Sequence, residues 1–379
     1  MLHRNIAADL AWAEIVDRNQ VFAWRDAWQR LSDNSIEANA YYSPAYANAL
    51  LDTIEARSDV QFAVVWQGGD MIGLLPFVAA KPVLSFLNPS KAWQSDYTYN
   101  CTPLLHKDWS AQAADRLVAL FVARRLGAWV LPRLNLNGPA ATAIIRALEK
   151  QRKGWAVANR FARAVLEPDG SFEDHMQKHV SAKRRRDLAR NRRRLENLGA
   201  VAFETCTAGP KLTAAVEAFL RIEAAGWKGR RGTALACSRT TQQFATKAFS
   251  AHHHCRADVL SLNGEAIAVG LTIFSGRTGF AVKCAYDERY ASYGAGLLLE
   301  VEFLRSLLED KWADRVDSGT DGTHVIDALW LARTEVGDLL FSCSDPAGSQ
   351  GFAAFVACQR LKQAAIDKAK SVSSHFREK

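Results

Sequence analysis

Residues 277–307 read RTGFAVKCAYDERYASYGAGLLLEVEFLRSL, and the rest of the chain is organised around this stretch. The apolar run Gly279–Ala285 predicts a strand, which a charged and aromatic turn follows. Gly294 and Gly296 then precede the apolar start of a helix at Leu297. The first N–H groups of a helix lack partners, and glycine lets a ligand approach them closely. The pattern therefore predicts either a phosphate site or an ordinary strand-to-helix turn, because a lone G-x-G is weakly specific.

The composition is that of a globular protein with one strongly basic segment. The 379 residues are 49% hydrophobic and 23% charged, and a chain of this length favours two domains. Most of the net charge of +8 lies in Lys183–Arg194, which holds eight basic residues and one acidic residue. The remainder has 40 basic and 39 acidic residues, so the sequence does not indicate a general polyanion-binding surface.

Cysteine, histidine and apolar patterns set limits on the environment. The seven cysteines are odd in number, widely spaced and without a C-x-x-C pair, so neither a disulfide framework nor a structural zinc site is indicated. His252, His253, His254 and Cys255 are consecutive and would point to alternating sides of an extended chain, so we expect no metal site there. The N-terminus lacks a signal-peptide pattern, and the longest apolar run, Met71–Ala80, is too short to span a bilayer. We expect a cytoplasmic protein with no transmembrane segment.

The predicted elements have the same order in both halves of the chain: helices, an antiparallel hairpin, then strand, helix and strand. A cluster of turn-forming residues between the halves predicts an N-terminal domain of residues 1–167 and a C-terminal domain of residues 168–379. The segment Trp155–Leu166 is predicted to form a strand pair. One helix, capped by Ser171, is predicted to run through the basic segment to Gly199. A structural duplication is a hypothesis that this order supports.

An aromatic and polar stretch, Phe86–Pro103, lies between the hairpin and the next helix of the first half. It contains Trp93, Tyr97 and Tyr99 among polar residues. Two interpretations stay open, a loop that lines a groove and a packed surface loop.

Five segments carry a family resemblance, namely KRRRDLARNRRRLENLG (183–199), IEAAGWKGRRGTAL (222–235), LNGEAIAVGLTI (262–273), KCAYDERYASYGAGLLL (283–299) and IDALWLARTEVGDLL (326–340). They resemble the GCN5-related N-acetyltransferase (GNAT) superfamily, more narrowly its double-domain CelD/BcsL-like acetyltransferases, with FemAB-like transferases as relatives. The resemblance implies an α/β protein of two tandem GNAT-like domains, each a mixed, mostly antiparallel sheet flanked by helices. It implies acyltransferase activity in the C-terminal domain and no cofactor in the N-terminal one.

In this superfamily the glycine-rich turn reads Arg/Gln-x-x-Gly-x-Gly/Ala and holds the pyrophosphate of an acyl-CoA. Gly294 and Gly296 match the two small positions, but Ala291 stands at the first. That departure leaves open an altered mode of acyl-CoA binding or another donor, such as the aminoacyl-tRNA of FemAB-like relatives. The resemblance implies acetyl-CoA or another acyl-CoA as co-substrate, no metal, and these cofactor-binding residues: Val282, Lys283, Cys284, Ala285, Tyr293, Gly294, Ala295 and Gly296.

The implied reaction is transfer of an acyl group, expected to be acetyl, to an amine or hydroxyl of a sugar, lipid or other small molecule. A link to polysaccharide or cell-envelope biosynthesis is part of the resemblance. Proton transfer must accompany it, from the nucleophile to a base and to the departing thiolate. The candidate catalytic residues are Tyr286, Tyr290, Asp317, His324 and Glu223. Each of them has a structural or solvated role as its alternative.

Two further segments have open interpretations. Trp227 and Lys228 end a helix before a glycine-containing loop, which would either cover the acceptor or simply cap the helix. The basic segment Lys183–Arg194 would bind nucleic acid, bind an anionic acceptor, membrane or carrier protein, or form a solvated helix face anchored by leucines. Nucleic acid is disfavoured, because aromatic residues are not interleaved, except for tRNA in the FemAB-like alternative. A non-catalytic polyanion-binding protein on a GNAT scaffold is the alternative from another functional class.

Overall fold

The computed structural model describes residues 10–80, 88–250, 254–321 and 324–375. Its strands, in chain order, are β1 (Trp12–Val16), β2 (Gln61–Gln67), β3 (Asp70–Val78), β4 (Ser90–Ala92), β5 (Leu104–Leu105), β6 (Ala128–Asn135), β7 (Lys153–Leu166), β8 (Val201–Cys206), β9 (Cys255–Leu262), β10 (Glu265–Ser275), β11 (Thr278–Tyr286), β12 (Arg315–Asp317) and β13 (Ala332–Pro346).

Its α-helices are α1 (Arg18–Ala23), α2 (Arg25–Asp33), α3 (Pro44–Leu51), α4 (Ser110–Ala123), α5 (Pro139–Lys150), α6 (Phe172–His179), α7 (Ala182–Glu196), α8 (Gly209–Ala225), α9 (Trp227–Arg230), α10 (Arg239–Ala245), α11 (Ala295–Asp310) and α12 (Gln350–His375). Short 3₁₀ helices cover Ala40–Tyr42, Leu235–Cys237, Glu288–Tyr293 and Val325–Ala328, and a π-helical turn covers Thr246–Ser250. Among the described helices, none combines the length and the apolar character needed to cross a membrane.

The chain packs into two compact units. It enters unit 2 briefly for Ala45–Ser58, crosses to it again within β7, and returns to unit 1 within β13. Unit 1 holds the described residues up to Pro44, Asp59–Ala162 and those from Glu335 onward, and unit 2 holds Ala45–Ser58 and Arg163–Thr334. These units describe packing. The division into domains 1–167 and 168–379 stays a prediction.

The sheet of unit 1 is mostly antiparallel. Strands β1 to β4 pair in sequence as antiparallel neighbours, β4 is parallel to β6, and β6 is antiparallel to β13. Large aromatic side chains fill the core against it, with the rings of Phe121 and Trp129 stacked 4.2 Å apart. Burial of such rings removes much apolar surface from water and is the main stabilising contribution here.

The aromatic segment that follows β4 is packed into unit 1. Of the stretch Phe86–Pro103, the structure describes the part from residue 88 onward, and β4 is a short strand within it. The Tyr42 hydroxyl donates to the carbonyl of Trp93 (2.7 Å), and the rings of these two residues stack. The Asn39 amide donates to the carbonyl of Thr102 (2.8 Å). The segment is therefore a packed one, and much of it is buried.

The sheet of unit 2 has the same pattern of pairing. Strands β8 to β11 pair in sequence as antiparallel neighbours, β11 is parallel to β12, and β12 is antiparallel to the end of β7. Leucines of α11 fill its core together with Leu188 and Leu195 of α7. The fold class is therefore confirmed: the protein is α/β, and each unit holds a mixed, mostly antiparallel sheet flanked by helices.

Two predicted elements differ from the structure. The segment Trp155–Leu166 belongs to the single strand β7, because no turn interrupts it. The predicted long basic helix is two helices, capped by Ser171 and by Ser181, whose hydroxyl oxygen accepts from the Arg184 N–H (3.2 Å). Ser181 starts a new helix because its side chain satisfies an N–H that would otherwise lack a partner.

Candidate active site

Strands β11 and β12 separate after a short parallel contact. They pair only between Thr278–Phe280 and Arg315–Asp317. β11 then continues to Tyr286, while its other edge remains paired with β10. Because β12 ends at Asp317, the edge of β11 beyond Phe280 is left without this partner. Such an edge can receive an extended ligand in place of a strand.

A bulge marks the beginning of this free edge. The register between β10 and β11 steps from the pair Leu271–Lys283 to the pair Thr272–Ala281. Val282 is therefore the additional residue on β11. A bulge bends its strand and turns the local backbone groups in a new direction, so the free edge begins with a change in the direction of its N–H and C=O groups.

The turn after β11 brings backbone N–H groups to its end. It consists of the 3₁₀ helix Glu288–Tyr293 and Gly294, whose φ of +68° lies in the left-handed region. No side chain caps α11, so its first N–H groups have no side-chain partner. A Cβ on Gly296 would lie 2.9 Å from the Tyr286 ring. Only glycine leaves this approach between α11 and the end of β11 unobstructed.

Helix α7 lies beside the same turn. Arg194 Nη1 donates to the carbonyl of Ser292 (3.1 Å), and the guanidinium lies 4.8 Å from the centre of the Tyr293 ring. The amide nitrogen of Asn191 lies 3.0 Å from the point that a Cβ on Gly294 would occupy. A cationic group and an amide therefore stand next to the N-terminus of α11.

Helix α7 is fixed in this position by its other contacts. Leu188 and Leu195 are buried in the core of unit 2. Arg192 makes an ion pair with Glu302 of α11 (2.8 Å). The basic segment is thus anchored by Leu188 and Leu195, whereas Leu198, the third anchor expected from the sequence, is exposed. The segment also reaches the glycine turn.

A pocket lies between the end of β11 and the end of α8. Its volume is about 50 Å³, and its lining is Ile222, Glu223, Gly226, Trp227, Lys228, Cys284, Ala285, Tyr286 and Glu288. The structure therefore brings together predicted catalytic, cofactor-binding and acceptor-side residues around one opening.

Glu223 and Lys228 form one wall of this pocket through an ion pair. The buried Glu223 accepts from Lys228 Nζ (2.8 Å) and from the Leu235 N–H (2.8 Å). Both of its oxygens are therefore engaged, which fits a role in holding the loop better than a role as a free base. Burial, and next the nearby charge of Lys228, lower the pKa of Lys283.

Trp227 stands at the rim of the pocket with 48% of its surface exposed. Glu288 holds the short helix α9 in place, because it accepts from the Trp227 N–H (2.7 Å) and from Arg230 (2.8 Å). The contact with Arg230 is the main reason why the pKa of Glu288 is lowered. The aromatic side chain is thus presented to solvent on an anchored helix.

The two candidate tyrosines are placed differently. Tyr286 lines the pocket and is 41% exposed, next to Gly296. Tyr290 lies in the 3₁₀ helix, where its ring contacts Tyr293 and the guanidinium of Arg289. The pocket lining includes Tyr286 and leaves out Tyr290.

Asp317 and His324 are also outside the pocket lining. Asp317 ends β12, accepts from the Gly319 N–H (2.7 Å) and lies 3.6 Å from buried Arg163. His324 begins the 3₁₀ helix Val325–Ala328 and accepts from the Ile326 N–H through Nδ1 (3.4 Å). These contacts are structural, and the catalytic roles of both residues stay predictions.

The predicted absence of a metal site concerns residues that are only partly described. His252 and His253 lie outside the described part of the chain. Among the described residues, no group of three or more His, Cys, Asp or Glu side chains is placed as metal ligands would be.

Several residues near the site were not singled out by the sequence. They are Asn191 and Arg194 beside the turn, Glu288 under α9, and Glu300 on α11. Glu300 offered a signal, because it is a charged residue directly after Leu297–Leu299 and four positions after Gly296. The others lie in charged segments where single contacts are not distinguishable by pattern.

Comparison with known proteins bears on this geometry. Residues 182–324 match the family model described as an acetyltransferase (GNAT) domain. The match covers α7 through the glycine turn and α11 to the region after β12. No curated protein gave a significant match.

Solved structures share the fold over most of the chain. FemX aligns with a TM-score of 0.56 at 9% identity, over 86% of this chain and 96% of its own. A conserved protein of unknown function from Bacteroides thetaiotaomicron aligns with a TM-score of 0.53 at 13% identity, over 84% and 96%. The C-terminal domain assigned to a lysylphosphatidylglycerol synthetase of Agrobacterium fabrum aligns with a TM-score of 0.52 at 10% identity, over 90% and 96%.

The segment 182–324 is therefore similar to a GNAT acetyltransferase domain, and this match covers less than half of the chain. At these identities the structural similarity establishes the fold alone.

Proposed function

We propose that unit 2 is an acyl-CoA-dependent acyltransferase, with acetyl-CoA as the donor. The observation that carries this proposal is the opening between β11 and β12, which leads to the glycine-rich N-terminus of α11. An extended pantetheine arm would lie along the free edge of β11, and the pyrophosphate would bind at the first N–H groups of α11. The cofactor-binding residues would be those from Val282 to Ala285 and from Tyr293 to Gly296.

Position 291 is an alanine, so it offers no polar side chain to the pyrophosphate. Helix α7 would supply polar groups in its place. Arg194 and Asn191 lie beside Ser292, Tyr293 and Gly294. A guanidinium binds phosphate oxygens with charge-assisted hydrogen bonds. The basic segment would thus serve an anionic ligand, the phosphates of CoA, rather than nucleic acid.

The chemistry would occur where the bulge at Val282 begins the free edge of β11. Backbone N–H groups there would stabilise the oxyanion that forms when the nucleophile attacks the thioester. Tyr286 lines the pocket and is the better placed of the two tyrosines to donate a proton to the departing thiolate. Trp227 and Lys228 would contact the acceptor from the other wall.

The acceptor would be an amine or hydroxyl of a sugar, lipid or other small molecule. The resemblance to CelD/BcsL-like acetyltransferases favours a role in polysaccharide or cell-envelope biosynthesis. Unit 1 would have no donor of its own, and the aromatic segment after β4 supports this, because its own side chains pack there.

Two observations are compatible with a second donor. Ala291 and the shared fold with FemX are compatible with an aminoacyl-tRNA, which FemAB-like relatives use. A calorimetric titration with acetyl-CoA separates the two donors. Binding that Gly296→Val abolishes supports the acyl-CoA proposal, whereas no heat at millimolar acetyl-CoA contradicts it and leaves the tRNA-dependent transferase or a non-catalytic polyanion-binding protein.

A further inference from the structure

Helix α11 carries a carboxyl group on the face that meets β11. Glu300 lies four residues after Gly296, and residues four apart stand above one another on a helix. Gly296 abuts Tyr286, so Glu300 lies one turn further along, near Cys284. The charge of Glu300 raises the pKa of the Cys284 thiol, after the larger effect of burial, and this places the two groups close together.

This carboxyl has an unusual environment. Oε2 of Glu300 and Nε1 of Trp330 are both buried in the described structure, and neither has a partner at full hydrogen-bond geometry; the contact between these two side chains is a weak hydrogen bond. Trp330 is stacked on Phe303 of the same helix. A helix that needed only an apolar side chain at this position would gain stability from leucine, because a buried polar atom without a partner is destabilising.

Glu300 interacts electrostatically with Asp258 and Cys284 and contacts the indole of Trp330. The pKa of Glu300 is raised to about 7: burial raises it most, the hydrogen bond from the Trp330 indole lowers it, and the charge of Asp258 on β9 raises it. Asp258 is itself paired with Arg256 (2.8 Å). Cys284 of β11 is exposed at the pocket, and desolvation of its thiol together with the charge of Glu300 raises its pKa. A carboxyl in this range can accept and release a proton at neutral pH.

We propose that Glu300 is the general base of acyl transfer in unit 2. The inference rests on the proposed function, because it takes the acyl group of acetyl-CoA to lie along the free edge of β11. There the thioester carbonyl would be flanked by β11 on one side and by the Gly296–Glu300 face of α11 on the other.

The proposed reaction transfers one proton and exchanges one bond at the thioester carbonyl. The nucleophile X–H gives its proton to the Glu300 carboxylate while its lone pair attacks the thioester carbonyl. The C–X bond forms, and the C–S bond then breaks with its electron pair on sulfur. The thiolate takes up a proton, which Glu300 can return through the site, so the products are the acylated acceptor and CoA as free thiol. The carboxylate is then restored.

Water serves as the nucleophile in the test, so that the natural acceptor is not needed. Thiol release from acetyl-CoA is followed between pH 5.5 and 9 for the full-length protein and for Glu300→Gln. We expect the wild-type rate to exceed that of buffer and to rise to a plateau with a midpoint near pH 7. Glu300→Gln should lose about 100-fold or more and show no such rise.

Matched variants separate catalysis from structure. Glu309→Gln alters an exposed carboxyl of the same helix, paired with Arg305, and should leave the rate and the pH profile unchanged. Glu300→Asp keeps a carboxyl and should restore part of the rate. Glu300→Gln should bind acetyl-CoA with unchanged affinity in calorimetry.

The outcomes are distinguishable. If the wild type binds acetyl-CoA but Glu300→Gln keeps its rate and profile, Glu300 is not the base. Hydrolysis no faster than buffer by a wild type that binds acetyl-CoA also overturns the inference, because a base beside the bound acyl group would activate water. Failure of the wild type to bind acetyl-CoA overturns the proposed function and the inference with it.

Discussion

Units 1 and 2 share one order of strands, but the segment after the fourth strand is packed in unit 1 and open in unit 2. In each unit the fourth strand is followed by a linking segment and a helix, then by a parallel strand. The link runs through residues 93–109 before α4 in unit 1, and through residues 287–294 before α11 in unit 2. The order of the strands does not distinguish the two units, whereas these links do.

In unit 1 the link fills its own space. Trp93 and Cys101 are buried, Tyr42 and Asn39 hold its carbonyl groups, and Tyr99 packs edge-on against Tyr41. The residue before α4 is Trp109, and the segment contains no glycine. These packed rings fill the space after β4, and an opening described in this unit lies instead between α4 and α5, where Ala111 and Arg146 line it.

In unit 2 the link is short and leaves the end of β11 open. Gly294 and Gly296 keep side chains away from the N-terminus of α11, and a pocket lies next to Tyr286. The same strand order therefore supports a packed segment where aromatic residues follow the fourth strand, and an open candidate binding site where glycines follow it.

The largest expected effect comes from filling the gap in unit 2. Gly296→Val would place a branched side chain against the Tyr286 ring, where even a Cβ lies at 2.9 Å. We expect acetyl-CoA affinity to fall about 100-fold, which corresponds to about 2.7 kcal/mol. The equivalent change in unit 1, Ala111→Val near the start of α4, should leave the affinity unchanged. Equal losses in both variants, measured by calorimetry, would break the comparison.

The next largest effect should come from breaking the Glu223–Lys228 ion pair in the wall of the unit 2 pocket. Lys228→Met leaves the buried Glu223 carboxylate without its counter-charge. We expect the free energy of unfolding to fall by about 2 kcal/mol, measured by urea denaturation at pH 7. Adding Glu223→Leu should recover part of the loss, and a loss that persists in full would show that the ion pair does not hold this wall.

The general architecture follows from patterns that are local in sequence. The hairpin strands β9 and β10, the strand β11 and the apolar helix α11 were all predictable from periodicity and turn residues. The break at Ser181 was not, because a serine inside a long basic run also fits a continuous helix. The continuous strand β7 was missed for a related reason, since alternation alone does not show whether a turn interrupts it.

Charge at the glycine turn should have a smaller effect. Arg194→Gln removes the guanidinium beside Ser292 and Tyr293, and we expect acetyl-CoA to bind about tenfold more weakly. Its neighbour Arg193 is exposed, and Arg193→Gln should change the affinity less than about twofold. Titrations at low and high salt should show a reduced salt dependence for Arg194→Gln alone. Equal effects of both variants would indicate a diffuse basic surface instead of a defined contact.

The smallest expected effect concerns the stability of α11. Because the pKa of Glu300 is raised in the folded protein, folding favours the protonated carboxyl, and that stabilisation is lost as pH rises from about 4.5 through about 7. Glu300→Gln should therefore raise the melting temperature by a few degrees at pH 8 and leave it nearly unchanged at pH 4.5. A difference that is the same at both pH values would contradict the raised pKa.

The candidate site was predictable only in part. The sequence indicated Gly294, Gly296 and Trp227, because glycine spacing and an isolated aromatic residue are local signals. It could not show that Asn191 and Arg194 reach the turn, since α7 lies about 100 residues earlier in the chain and the contact depends on packing. For the same reason the sequence could not show that both oxygens of the candidate base Glu223 accept hydrogen bonds, and its catalytic role stays a prediction.

The central claim is that one unit binds the donor and the other does not. It is tested most directly by the stoichiometry of acetyl-CoA binding to the full-length wild-type protein, measured by isothermal titration calorimetry. We predict one acetyl-CoA site per chain, which is lost in Gly296→Val and retained in Ala111→Val. Two sites per chain, or no binding at millimolar acetyl-CoA, would contradict it.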